Sequence, residues 1–112
     1  MSVAADIRTA LSGLGYPVAQ NSYQGNEQTY FVFNLQRIPV NFADDTPQVE
    51  RVLIQLHLYA PITFNTATIE RTVQQTLFGL GYAYPATENV SDRESQHLVF
   101  ETEALEAITW QT

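Results

Sequence analysis

The sequence predicts an α+β fold: a two-layer sandwich in which two helices cover one face of a mainly antiparallel sheet. Two segments have apolar residues at helical spacing, and each ends in a Gly-Leu-Gly-aromatic motif. The remaining segments alternate apolar and polar residues in adjacent runs, a pattern typical of neighbouring antiparallel strands. The predicted order of elements is α-β-β-β-α-β-β.

The first predicted helix begins near Ser2, whose hydroxyl can accept a hydrogen bond from a free amide of the first turn. Its apolar face is formed by Val3, Ile7, Ala10, Leu11 and Leu14. Gly15 can adopt the left-handed conformation that ends a helix, and Pro17 prevents continuation. A weaker strand is predicted next, over residues 17–23, with a turn at Gly25.

Two stronger strands follow, over residues 29–38 and 49–59. One face of the first carries Phe31, Phe33 and Leu35, and one face of the second carries Val52, Ile54, Leu56 and Leu58. Aromatic and β-branched side chains suit the pleated surface of a sheet. The segment between these strands, residues 39–47, is rich in turn-forming residues and is predicted as a connection.

The second helix repeats the pattern of the first, with Asn65 or Thr66 as its cap and Gly81 at its end. Its apolar face is formed by Ile69, Val73, Thr76 and Leu77. Residues 82–90 and 96–102 then form a predicted hairpin.

The chain of 112 residues has room for one core, so residues 1–112 are predicted to form a single domain. Residues 102–112 could extend from it as a C-terminal tail. A compact domain of this length has a radius of gyration of about 13 Å.

Composition and charge exclude several functions. The chain carries twelve acidic residues against five arginines, with no lysine and a net charge of −7. It lacks the clustered positive charge that a nucleic-acid backbone requires, so no specific nucleic-acid binding is expected. The absence of cysteine excludes disulfide and thiolate chemistry. No apolar run is long enough to cross a membrane, and the first residues do not resemble a secretory signal.

No residue pattern indicates catalysis, a metal or a cofactor. His57 and His97 lie in predicted strands without a companion at ligand spacing, and we interpret them as structural. Asp44 and Asp45 precede a Thr-Pro pair, which is more typical of a turn than of a cation-binding loop. The sequence contains no nucleophile motif and no phosphate-binding glycine loop. We therefore expect a non-enzymatic protein with no catalytic residues, no metal and no cofactor.

Other features indicate an interaction surface. The segment between the two strong strands places Phe42 among acidic neighbours, and Trp110 is the only tryptophan. A large side chain near a terminus must pack on its own core or on a neighbouring molecule. Tyrosines are abundant in the chain and are enriched at protein interfaces. The predicted interface residues are Phe42, Asp44, Asp45, Tyr59 and Trp110.

Several segments together resemble one protein family. They are the helix from Ile7 to Leu14, the aromatic strand at 30–33, the acidic pair at 44–45 before Pro47, the strand at 52–59, the second helix and the closing strand at 96–100. In this combination the chain is similar to the tail-completion or tail-terminator (head-tail joining) proteins of long-tailed bacteriophages and prophages. The resemblance covers residues 2–102 and rests on the order of elements and a few polar positions.

This resemblance implies a virion component of the phage tail or neck that is assembled in the bacterial cytoplasm. Proteins of this family form a ring, typically a hexamer, at the head-proximal end of the tail, where they stop tube growth. The expected partners are other copies of the chain, the tail-tube protein and the head-connector protein. The negative net charge is compatible with a lumen through which DNA slides without binding.

Two other functions remain open. The chain could be another neck component, such as a head-completion or stopper protein. It could also be a small ligand-binding domain in which Arg51, His57 and Tyr59 form the polar part of a pocket. Substitution of these three residues would then abolish binding and leave assembly unchanged.

Overall fold

The fold consists of two helices packed on one face of a five-stranded sheet. The structure is a computed structural model that describes residues 2–43 and 46–108. Its elements are α1 (Val3–Ser12), β1 (Val18–Gln20), β2 (Tyr30–Ala43), β3 (Thr46–Pro61), α2 (Ala67–Gly79), β4 (Ala86–Asn89) and β5 (Ser95–Ala107). The strand order is β1-β2-β3-β5-β4; β1 is parallel to β2, and the other pairs are antiparallel. The predicted class and order of elements are confirmed.

The core lies between the helices and one face of the sheet. Two registered rows cross β2, β3 and β5, namely Phe31–Leu58–Leu98 and Phe33–Leu56–Phe100. The helices bury Val3, Ile7 and Leu11 of α1 and Val73 and Leu77 of α2 against them. Removal of this apolar surface from water is the main force that holds the two layers together.

Both helices begin where predicted, whereas α1 ends at Ser12, before the predicted Leu14 and Gly15. Gly15 and Gly81 have φ angles of +90° and +91°, a conformation that side-chain-bearing residues adopt at a cost. Ser2 caps α1 by accepting a hydrogen bond from a first-turn amide. At α2, Asn65 makes the capping hydrogen bond and the side chain of Thr66 makes none.

The central hairpin is longer than predicted. Residues 39–43 and 46–47 belong to strands, so the prediction of a connection there is wrong. Pro39 is tolerated because β1 pairs only with residues 31–33, which leaves β2 an edge strand beyond Phe33. We call residues 38–43 of β2 and 46–51 of β3 the arm.

The last strands differ from prediction as well. β5 continues along β3 to Ala107, and the amide of Ile108 donates to the carbonyl of Gln48 at 3.0 Å. Residues 102–108 therefore extend the sheet and are not a separate tail. The strand predicted over residues 82–90 is reduced to β4. With these long strands the molecule measures 54 × 26 × 24 Å, and its radius of gyration is 15.5 Å, larger than expected for a compact domain.

An ion cluster joins the start of α1 to the sheet. Arg37 donates to Glu50 at 3.0 Å and also to Glu106. Oε1 of Glu106 accepts a hydrogen bond from the amide of Val3 at 3.2 Å, so its carboxylate lies at the positive end of the helix dipole. The hydrogen bond to Glu106, opposed by partial burial, raises the pKa of Arg37.

Glu106→Ala is expected to lower the free energy of unfolding by about 1–2 kcal/mol, because it removes a helix cap and one partner of Arg37. Glu103→Ala is the matched control on the same strand. Glu103 pairs with Arg51, but these side chains are 44% and 49% exposed, so its loss should cost less than about 1 kcal/mol. Urea denaturation measures both values. Equal losses would contradict the role of Glu106 in holding α1.

Candidate functional site

The face of the sheet that the helices leave uncovered carries the candidate site. Side chains alternate along a strand, so the neighbours of the core residues point away from the helices. Two registered rows cross β2, β3 and β5 on this side: Tyr30–Tyr59–His97 and Val32–His57–Val99. We call these six residues the open face.

Aromatic rings form a continuous stack across the open face. The ring centroids of Tyr30 and Tyr59 are 5.0 Å apart, and those of Tyr59 and His97 are 4.2 Å apart. Tyr23, from the segment before β2, adds a further ring 4.4 Å from Tyr30. Aromatic pairs of this kind contribute about 0.5–1.5 kcal/mol each beyond simple burial. These contacts stabilise the stacked arrangement, and all four residues remain partly exposed.

Tyr59 keeps its proton at physiological pH. Burial, with a smaller contribution from Tyr30, raises the pKa of its hydroxyl above the ordinary value. Tyr59 therefore contributes an uncharged ring with a polar edge, which suits a protein interface.

His57 and His97 form a hydrogen-bonded pair beside this stack. Nδ1 of His57 lies 2.7 Å from Nε2 of His97. Nε2 of His57 lies 3.0 Å from Oε1 of Gln55 and 3.5 Å from the side-chain amide of Asn34. The shorter contact places a proton on Nε2 of His57, because an amide oxygen only accepts hydrogen bonds. Nδ1 of His57 is then the acceptor, and His97 donates through Nε2–H.

Both histidines are held in the neutral form. Burial lowers the pKa of His57, and the neighbouring His97 lowers it further. Burial also lowers the pKa of His97, although the carboxylate of Asp92 partly opposes this shift. Two adjacent imidazolium ions would repel each other, so the neutral pair is favoured near pH 7.

The contact between the two histidines was not predicted from their spacing along the chain. His57 is in register with Val99, and His97 is in register with Tyr59, so the two histidines are diagonal neighbours on β3 and β5. Their separation along the chain hides this contact, which depends on the register of the two strands. The sequence contains one indication of it: each histidine alternates with the buried positions of its strand, so both are placed on the face of the sheet opposite the core.

The predicted interface residues are not brought together. Tyr59 lies in the aromatic stack, whereas Asp44, Asp45 and Trp110 lie outside the described residues. The backbone of Phe42 pairs with Pro47 in the arm. That position is roughly 40 Å along β3 from Tyr59.

The structure also separates the polar residues of the ligand-binding alternative. Arg51, His57 and Tyr59 share a strand face, but Arg51 is about 20 Å along β3 from His57. Arg51 borders a cavity of about 410 Å³, whereas Tyr59 borders another of about 270 Å³. The three residues do not line one pocket.

A second exposed apolar surface lies on the helix side of the molecule. Phe78 near the end of α2 is 56% exposed and Tyr84 is 53% exposed, with ring centroids 5.4 Å apart. Leu80, between them in sequence, is also exposed. We call Phe78, Leu80 and Tyr84 the helix-side patch.

Tyr82 is a buried side chain near the start of α1. Its residue is 7% exposed, and its hydroxyl has no hydrogen-bond partner among the described residues. Burial raises its pKa to about 12, with smaller contributions from the carboxylates of Asp6 and Glu106.

Tyr82→Phe is expected to raise the free energy of unfolding by about 1 kcal/mol, because a buried donor without a partner is costly. It should also reduce the loss of stability at alkaline pH. The hydroxyl ionises near pH 10 in the unfolded chain and near pH 12 in the folded one. Between these values ionisation favours the unfolded chain, so the stability of the wild type is unaffected by this ionisation below pH 10 and falls as pH rises to 12.

Urea denaturation at pH 7, 10 and 11 tests both parts. A variant that is less stable at pH 7 and loses as much stability as wild type at pH 11 would contradict this assignment.

The described residues were also searched for metal centres and membrane-spanning helices. No three His, Asp or Glu side chains of residues 2–43 and 46–108 come together as a metal centre. In the same residues neither helix is long and apolar enough to span a bilayer.

Comparisons with known proteins support the fold. One similar solved structure has a TM-score of 0.64 and 12% sequence identity, and the match covers 98% of this chain and 96% of that chain. The name of that protein states no function, and at this identity the likeness shows the fold alone. No protein-family model matches the chain, and no curated protein sequence matches it.

Proposed function

We propose that the protein is a tail-terminator or tail-completion protein of a long-tailed phage or prophage. It is a non-enzymatic virion component that forms a ring at the head-proximal end of the tail and joins the tail to the head connector. The starting point is the resemblance of residues 2–102 to that family. The main structural support is that this small domain has two different exposed surfaces, the open face on the sheet and the helix-side patch on the opposite layer.

Two unlike surfaces are what a ring of identical subunits needs. In such a ring each subunit contacts the next through a different patch, and the rotation between subunits closes the ring. The open face supplies stacked aromatic rings on the sheet layer, and the helix-side patch supplies Phe78, Leu80 and Tyr84 on the helix layer. Exposed aromatic residues of this kind are enriched at the centres of protein interfaces.

The arm offers an additional contact. In the described part of the chain, β2 has no strand neighbour on its outer side beyond Phe33. An unpaired strand edge is open to pairing with another chain and is normally covered in an assembled protein. A neighbouring subunit in the ring, or the tube beneath it, would cover this edge.

The charge of the chain fits the same role. Its net charge is −7, and Arg37 and Arg51, two of its five arginines, are paired with glutamates. A ring of such subunits repels DNA phosphates and lets DNA pass without binding.

The proposal is tested with tail-tube protein from the same genome. Tubes assembled with the chain present should stop at a limited length and show a ring of density at one end by electron microscopy. Phe78→Asp should abolish capping by placing a charge in the helix-side patch. Ile62→Ser is the control, because Ile62 is 53% exposed but belongs to neither surface.

Tubes of unlimited length without end density would contradict the proposal. Binding to the head connector without any effect on tubes would also contradict it and would favour a stopper or head-completion protein.

A further inference from the structure

We propose that His57 and His97 form a binding site for a divalent transition metal ion of the kind that imidazole prefers, such as Zn²⁺, Ni²⁺ or Cu²⁺. The site lies in the open face, and the proposed ring function does not require it.

The two ligand atoms already face each other. Nδ1 of His57 and Nε2 of His97 are 2.7 Å apart, and the ring centroids are 5.0 Å apart. Two imidazole nitrogens bound to one tetrahedral Zn²⁺ are each about 2.0–2.1 Å from the ion and so about 3.3 Å from each other. The rings must therefore separate by about 0.6 Å and tilt so that both lone pairs meet at the ion. Rotation of the two partly exposed side chains provides this movement while the strands stay in place.

His57 is oriented as a metal-bound histidine usually is. Its Nε2–H donates to Oε1 of Gln55 at 3.0 Å, which leaves the lone pair of Nδ1 directed at His97. Metal-ligating histidines commonly donate their other ring N–H to a carbonyl or carboxylate oxygen, which fixes the tautomer. Gln55 provides that second hydrogen bond.

The metal replaces the shared hydrogen bond. In the free protein His97 donates its Nε2–H to His57; on binding, this proton moves to Nδ1 of His97. One N–H···N hydrogen bond is lost, and two nitrogen–metal bonds form. The pair neither gains nor loses a proton in this exchange.

The surroundings favour a cation. The carboxylate of Asp92 acts on His97, and Glu88 on β4 is in register with Val99, the neighbour of His57. Two protein ligands leave the remaining positions to water, and binding is weaker than in a closed four-ligand site.

The test is a titration of the full chain with ZnCl₂ and NiCl₂ at pH 7.5, followed by calorimetry and by NMR of the histidine rings. We expect one ion per chain and selective shifts of the His57 and His97 ring signals, with no response to MgCl₂. His57→Asn and His97→Asn should each abolish saturable binding.

Gln55→Leu separates this site from adventitious binding. It keeps both ligands and removes the second hydrogen bond of His57, so the affinity should fall about 10–100-fold with unchanged stoichiometry. Wild-type-like affinity in either histidine variant would overturn the proposal. So would the absence of saturable binding, or ring signals that do not move in the wild-type chain.

Discussion

In the ring that we propose, Tyr59→Ser should prevent assembly and leave folded monomers. Tyr59 lies between Tyr30 and His97 in the stack, with centroid distances of 5.0 and 4.2 Å, and its loss removes the centre of the open face. Aromatic residues at the centre of an interface commonly contribute 2 kcal/mol or more, so association should weaken by about 30-fold or more. Sedimentation velocity over a concentration series measures this change.

Two controls accompany this variant. Tyr59→Phe keeps the ring and both stacking contacts, and we expect it to assemble like the wild type. Ile62→Ser changes an exposed apolar residue outside both surfaces and should also assemble. If Tyr59→Ser assembled as tightly as Ile62→Ser, the open face would not be the interface.

Phe100→Ala should lower the free energy of unfolding by about 3–5 kcal/mol. Phe100 is fully buried beneath the helices and is in register with Leu56, which is also fully buried. The total stability of a small domain is about 5–15 kcal/mol, so this variant loses a large share of it. Urea denaturation at a concentration where the protein is monomeric measures the loss.

The matched control is Phe78→Ala, the same substitution on the exposed side of α2. Phe78 is 56% exposed, so its loss should change monomer stability by about 0.5 kcal/mol or less. It should nevertheless weaken assembly, because Phe78 belongs to the helix-side patch. Similar losses of stability in the two variants would contradict the two-layer arrangement.

Local patterns explain why the order of elements was predictable. The spacing of Val3, Ile7 and Leu11 is enough to predict a helix with one apolar face. Gly15 and Gly81 adopt positive φ in the turns after α1 and α2, a conformation that glycine tolerates without a partner elsewhere in the chain. These features depend on residues close in sequence. A single sequence is sufficient to show them.

The strand ends were not predictable from local patterns. Pro39 and its neighbours favour a turn, but pairing of β2 with β3 extends the strand to Ala43. Residues 102–107 contain alanine, leucine and glutamate, which favour helix, yet pairing with β3 holds them in β5. In both cases a partner distant in sequence overrides local preference.

The candidate site was predictable only in part. The abundance of tyrosine pointed to Tyr59, but the contact of His57 with His97 and that of Arg37 with Glu106 depend on the register of paired strands. A register shift of one residue would place each of these side chains on the other face. No spacing within the chain fixes that register.

Native mass spectrometry of the full chain over a concentration series tests the central claim of ring assembly. We expect monomer at low concentration and one closed oligomer, with six subunits, at high concentration. Tyr59→Ser and Phe78→Asp, each altering one of the two surfaces, should both remain monomeric. A strict monomer at every concentration, or a continuous series of sizes without one closed species, would contradict a ring built from these two surfaces.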